Sequence, residues 1–239
     1  MTAAVNTPER RRTRSTPARA SRTQQCLALL CLALALVCLY LGAQMFSAAL
    51  ANYRTEQFLQ HWTDKAQAPT PQAWRAAFEM AARAAAQYPV GNGRYLDQLG
   101  QVHAWQMLQL PVAAAAAEPS RRAALQAYQQ ALEVRPGWPN TWARVAHTHY
   151  TLGQFDAAFA LALEHTNRLG PYRPAVQQEL ASIGLRAWPL LSTPQRVSTL
   201  ASARQVLNGR PSAARKLREL ARALGLEETL CMNALPKGC

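Results

Sequence analysis

The longest uncharged stretch of the chain runs from Cys26 to Leu50, CLALLCLALALVCLYLGAQMFSAAL, with Gln44 and Ser47 its clearly polar members. A bilayer core of about 30 Å needs about 20 apolar helical residues, so the run predicts a transmembrane helix over 26–50. Beyond it, short apolar runs recur at helical spacing between Pro and Gly. No stretch alternates β-branched residues as a strand does. The pattern predicts an all-α protein, a single N-terminal transmembrane helix followed by a tetratricopeptide-like helical solenoid. Residues 51–70, opening ANYRTEQFLQHWTDKA, are expected to carry the anchor helix outward and end in a linker; Tyr53 and Trp62 suit an interface or a packing contact.

The solenoid expectation rests on self-similarity. AAFEMAARAAAQYP (76–89) and AALQAYQQALEVRPGW (123–138) align on Pro89 and Pro136. Ala77 then matches Ala124, Phe78 matches Leu125, Ala81 matches Tyr128, Ala84 matches Ala131, and Ala85 matches Leu132. Small residues allow two helices to approach closely, and the terminal Pro cannot continue a helix. The clearest unit is PNTWARVAHTHYTLGQFDAAFALALEHTNRLGP, residues 139–171. Trp142, Val145, Ala146 and His149 take the first-helix core positions, Leu152-Gly153 makes the turn, and Phe155, Ala158 and Ala162 supply the second helix. Gly153 suits a turn because glycine tolerates positive φ.

The preceding unit starts at Tyr95-Leu96-Asp97-Gln98-Leu99-Gly100. Gly100 lies 24 residues from Ala124, where a regular repeat has about 12. An insertion around LQLPVAAAAAEPS follows, read either as a contact surface or as a tolerated expansion. Repeats are expected over 71–190. Two further helices, near 193–207 and 211–224, form a C-terminal cap and tail over 191–239, with Asn208-Gly209 between them and Pro211 at a first-turn position.

Charge gives the anchor a direction. Residues 1–25 hold Arg10, Arg11, Arg12, Arg14, Arg19 and Arg22 against Glu9, and so supply +5 of the net +13. This basic tail abuts the apolar run, and by the positive-inside rule it stays in the cytoplasm while the body is exported. A signal peptide cleaved after Ala49-Leu50-Ala51 is the competing reading; its usual apolar core is shorter. A lipoprotein does not fit, because neither Cys26, Cys31 nor Cys38 follows the small residue that lipid attachment requires. In the exported part only Cys231 and Cys239 remain; they form either a disulfide closing the loop over MNALPKG or two free thiols in a frayed terminus.

The chain shows no nucleophile motif, phosphate loop or metal-ligand spacing, so no catalytic, cofactor-binding or metal residue is assigned and no cofactor is expected. Glu227-Glu228 is read as favourable charge at the start of a short helix. The cluster Arg204, Arg210, Arg215, Lys216, Arg218 and Arg222 is read as a solvated face or as a contact for anionic polysaccharide or lipid. Nucleic acid is not expected on the exported side. Trp74, Trp105, Trp138, Trp142 and Trp188 are read as core before sugar-stacking platforms.

The anchor, YRTEQFLQHW (53–62), Leu99-Gly100 with Trp105, RPGWPNTWA (135–143) and RLGPYRPAVQ (168–177) together resemble the VpsP type of exopolysaccharide-biosynthesis proteins of Gram-negative bacteria, over roughly residues 50–190. The resemblance implies a place in an exopolysaccharide gene cluster and carries over no catalytic residue. The expected protein is a non-catalytic, single-pass scaffold of the inner membrane with a periplasmic body. Its repeats, with Leu99, Gly100, Tyr128, Ala131, Pro136, Trp142, Val145, Ala146, Gly153, Phe155 and Ala158 in the core, would bind protein components of a polysaccharide synthesis or export complex. The alternatives are a polysaccharide-modifying or polysaccharide-cleaving envelope enzyme, and a general assembly factor for another envelope complex.

Overall fold

The structure, a computed structural model, describes residues 21–234. They form ten α-helices: α1 (Arg22–Lys65), α2 (Pro71–Gln87), α3 (Gly93–Gln106), α4 (Glu118–Val134), α5 (Pro139–Leu152), α6 (Ala157–Leu169), α7 (Pro174–Arg186), α8 (Thr193–Leu207), α9 (Pro211–Ala223) and α10 (Glu227–Ala234). Single 3-10 turns, Ala115–Ala117 and Trp188–Leu190, interrupt two of the connections. No strand occurs among the described residues.

Local chemistry explains the helix starts. Proline occupies the first or second position of α2, α4, α5, α7, α8 and α9, where its fixed φ suits the helix and its missing N–H is no loss. Thr70 caps α2, Asn92 caps α3, and Ser192 with Gln195 forms a reciprocal capping box on α8. The Asp156 carboxylate accepts from the N–H groups of Ala158 and Phe159, and these bonds hold it below the usual carboxylate range. Asp156→Ala is expected to cost about 1 kcal/mol, read as a lowered urea midpoint with an unchanged slope.

The chain divides by packing into residues 1–43 and 44–239. In the described part of the first unit α1 is apolar and exposed, with Leu27, Leu30, Leu34 and Leu39 each more than half accessible. The described residues contain one helix, α1, long and apolar enough to cross a membrane. Its free cysteines Cys26, Cys31 and Cys38 are exposed. The last residues of the run expected over 26–50 belong to the second unit. Ser47 Oγ donates to Gln87 Oε1 at 2.9 Å, and Ala48 is fully buried against the body.

In the second unit, Ala48, Ala51, Thr55, Leu59 and Trp62 form the buried stripe on the remainder of α1. Each helix from α2 to α6 packs on its neighbour, α5 also meets α7, and α7 meets α8 and α9. The core of this unit gathers Tyr128, Val145, Ala146, Phe159, Ala162, Leu180 and Ile183. A second cluster joins Leu185, Val206, Leu217, Ala221 and Leu230 from α7 to α10. α5 ends on Gly153 in the left-handed conformation, φ 73°.

Three of the residues expected in the core are not part of it. Ala158 is exposed, and Phe159 beside it is 2% exposed. The inward stripe of α6 is Phe159, Ala162, Leu163 and Thr166. Burying a phenyl ring removes far more apolar surface from water than burying a methyl, and this sets the rotation of α6. Pro136 and Gly153 are also exposed and shape turns rather than core. Gly100, Tyr128, Ala131, Val145 and Ala146 are buried; Leu99, Trp142 and Phe155 are half-buried, Phe155 in the connection before α6.

Candidate functional site

α3 and α5 are joined by an ion pair whose carboxylate is buried and whose guanidinium is part-exposed. Asp97, 6% exposed, accepts from Arg144 Nη1 on both oxygens at 3.0 and 2.8 Å. Thr141 Oγ1 donates to it at 2.8 Å and Gln101 Nε2 at 3.0 Å. The carboxylate is saturated, so the Arg144 guanidinium is fixed at the surface between the helices.

Adjoining clefts open along this line. One, of about 490 Å³, is bounded by the end of α1, by α3, by the α4–α5 turn and by the start of α5. The next, of about 410 Å³, lies between α3, α5 and α7, with Tyr128 of α4 among its lining residues. Gln101, Asn140 and Arg144 line both. A third, of about 340 Å³, shares Ala104, Leu108 and His147 with the second and ends against the inserted segment. Together they make a groove walled by alternate helices, α1, α3, α5 and α7. Asn140, Arg144 and His147 come from one face of α5 at positions i, i+4 and i+7.

The insertion is a packed wall. Ala113 N–H donates to the Thr151 carbonyl at 2.9 Å. The buried Arg121 guanidinium donates to the carbonyls of Leu110 (2.7 Å), Pro111 (3.0 Å) and Thr151 (2.7 Å). A cation at the end of α5 meets carbonyls that have no partner within the helix. Met107, Leu108 and Val112 are left exposed beside the groove.

Electrostatics follow from burial. Burial pushes the Tyr128 phenol far above its ordinary range, which keeps it neutral. Burial pushes His147 down; Arg186 and Arg121 add to this and Glu179 opposes it. Burial alone lowers His103. A histidine held neutral in the fold titrates near 6.5 when unfolded, so the unfolded chain binds more protons below that pH. Stability is therefore expected to be full above about pH 6.5 and to fall as pH drops below it. Urea unfolding at pH 7.5 and 5.5 checks this, and His147→Gln should shrink the difference.

The remaining expected residues lie elsewhere. Arg204, Arg210, Arg215, Lys216, Arg218 and Arg222 are all exposed on α8, α9 and the turn between them. α9 turns Ala214, Leu217 and Ala221 inward and its basic residues outward. Arg222 pairs with Glu227 at 2.7 Å. Cys231 is half of a disulfide; Cys239, its expected partner, lies outside the described residues. Trp74 donates to the Val102 carbonyl, and Trp142 donates to the Pro136 carbonyl and stacks on His165 at 4.3 Å. Trp138 lines the α1–α3–α5 cleft with the guanidinium of Arg135 4.1 Å from its ring centre. Among the described residues no three His, Cys, Asp or Glu side chains come together as metal ligands.

Asp97, Asn140, Arg144 and Arg121 were not among the residues singled out from the sequence. The available signal was the run of polar side chains on one face of α5, a helix otherwise patterned for burial. A helical body with a groove between alternate helices defines the class at the level of fold. Comparison with protein-family models, with characterised proteins and with solved structures finds no match to this chain.

Proposed function

We propose that the chain is a non-catalytic, membrane-anchored scaffold whose groove between α1, α3, α5 and α7 binds a segment of another envelope protein. The observation that carries this reading is the groove itself, with polar side chains on its walls that the fold leaves unused. Asn140 makes no side-chain hydrogen bond among the described residues, and Glu179 forms no ion pair there. Alternate helices lining one groove are the arrangement by which tetratricopeptide-like hairpins present a binding surface, and the repeated motifs of 76–89 and 123–138 favour that description.

The basic tail before an apolar span favours a single pass through the inner membrane, N-terminus cytoplasmic and body periplasmic. The exposed basic residues of α8 and α9 suit contact with anionic polysaccharide. The exopolysaccharide setting rests on the resemblance to VpsP-type proteins. Deleting the gene should lower the amount or chain length of secreted polysaccharide. The wild-type gene should restore it, and an Asn140→Leu, Glu179→Leu variant should not. Unchanged polymer in the deletion strain would remove that setting.

A further inference from the structure

The groove changes character along its length, and the change specifies what fits it. At the α1 end, four of the six charges are already neutralised within the fold: Arg94 on Glu56 at 2.9 Å and Arg144 on Asp97 at 2.8 Å. Asp64 and Arg135 remain, with opposite signs. This compartment offers no net field to an ion. It does offer unused hydrogen-bonding groups. Gln98 is 6% exposed and is one of the residues lining the cleft, and its side-chain carbonyl oxygen is buried without any donor. A buried acceptor left unmade costs free energy, and a ligand N–H or O–H would relieve that cost. The neighbouring Asn140 amide offers one donor side and one acceptor side. Further along, Trp105, Leu108, Ala143 and Val176 make an apolar compartment, and the insertion adds Met107 and Val112 beyond it.

Asn140 and His147 are seven residues apart on α5, about 10 Å at 1.5 Å per residue. Thr151, at the far cleft, is about 16 Å from Asn140 by the same rise. An extended segment advances about 3.3 Å per residue, so it covers these spans in about three to five residues. The geometry points to a partner segment of defined pattern: an uncharged Ser, Thr, Asn or Gln seated at Gln98 and Asn140, with a Leu, Ile, Met or Phe three to five positions away seated at Trp105 and Leu108. This assignment rests on the reading of the groove as a receptor for a segment of another protein, and takes that segment as extended. It adds the chemistry of that segment and makes Gln98 a specificity residue whose burial destabilises the free protein.

The test is to pan the full chain, reconstituted in nanodiscs, against a random dodecapeptide display library, with empty nanodiscs as the counter-selection. Enriched peptides should share the polar-to-apolar spacing in either chain direction. A synthetic consensus peptide should bind at least tenfold more weakly to Gln98→Leu and to Leu108→Asp. Gln98→Leu should at the same time raise the melting temperature by roughly 3 °C, which separates lost recognition from lost folding. Leu108 is 46% exposed, so its replacement leaves the core intact. Enriched peptides that are acidic or basic without the spacing, or that bind both variants as well as wild type, would overturn the assignment and leave the groove reading standing. No enrichment over empty nanodiscs would overturn both.

Discussion

Replacing Gly100 with alanine is expected to lower the stability of the helical body by about 2 kcal/mol, and to raise it by about 1 kcal/mol once Tyr128 is alanine. A Cβ on Gly100 would stand 2.5 to 3.0 Å from three atoms of the Tyr128 ring. That ring is 2% exposed and packed within the largest core cluster, so it has little room to move. Forcing an extra methyl into a filled core costs up to about 3 kcal/mol. The better helix propensity of alanine returns about 1 kcal/mol. Tyr128→Ala alone should cost about 3–5 kcal/mol, by analogy with other aromatic truncations. It also removes the clash, so only the propensity gain remains when Gly100→Ala is added. Denaturant unfolding of the four proteins in one detergent measures the cycle. The same sign for Gly100→Ala in both backgrounds would show that α3 and α4 do not meet at this point.

The second large effect lies at Asp97. Asp97→Ala should destabilise the protein by about 3 kcal/mol, because it leaves Arg144, Thr141 and Gln101 without their shared acceptor at once. Arg144 keeps 31% of its side-chain surface exposed, and water there limits the loss. Replacing both partners, Asp97→Leu with Arg144→Leu, should recover part of the stability, since it removes the unpaired charge while Thr141 and Gln101 still lose their acceptor. The double variant should nevertheless weaken partner binding, because two leucines replace polar walls beside Gln98 and Asn140. Stability and binding are thus expected to part company in one protein. Equal losses in the single and double variants would mean that the pair does not act as a unit.

These residues also mark how far the sequence could be read. Helix positions were legible where local chemistry decides them: Asn208-Gly209-Pro211 separates α8 from α9, and Gly153 turns α5 into α6. The repeat motifs located Gly100 and Tyr128, but their contact depends on two helices meeting across the insertion. On α6 the expected Ala162 is buried, but a motif of small residues favours Ala158 where the larger Phe159 gains more from burial. The apolar run gave no sign that Ser47 and Ala48 already pack on the body, since lipid and core ask for the same residues. Asp97 is 44 residues from Thr141 and 47 from Arg144, and no local pattern couples such positions. The Arg121 clamp on the insertion was hidden for the same reason: its acceptors are backbone carbonyls, which every residue carries.

The groove as the binding surface is most directly tested by photo-cross-linking in living cells. A benzoylphenylalanine placed at Gln60 or Ala175, exposed positions that line the groove near its two sides, should capture one and the same envelope protein on irradiation. The same probe at Val197, 63% exposed on α8 away from the groove, should capture none of it. Capture of that protein from Val197 with none from Gln60 and Ala175 would contradict the account.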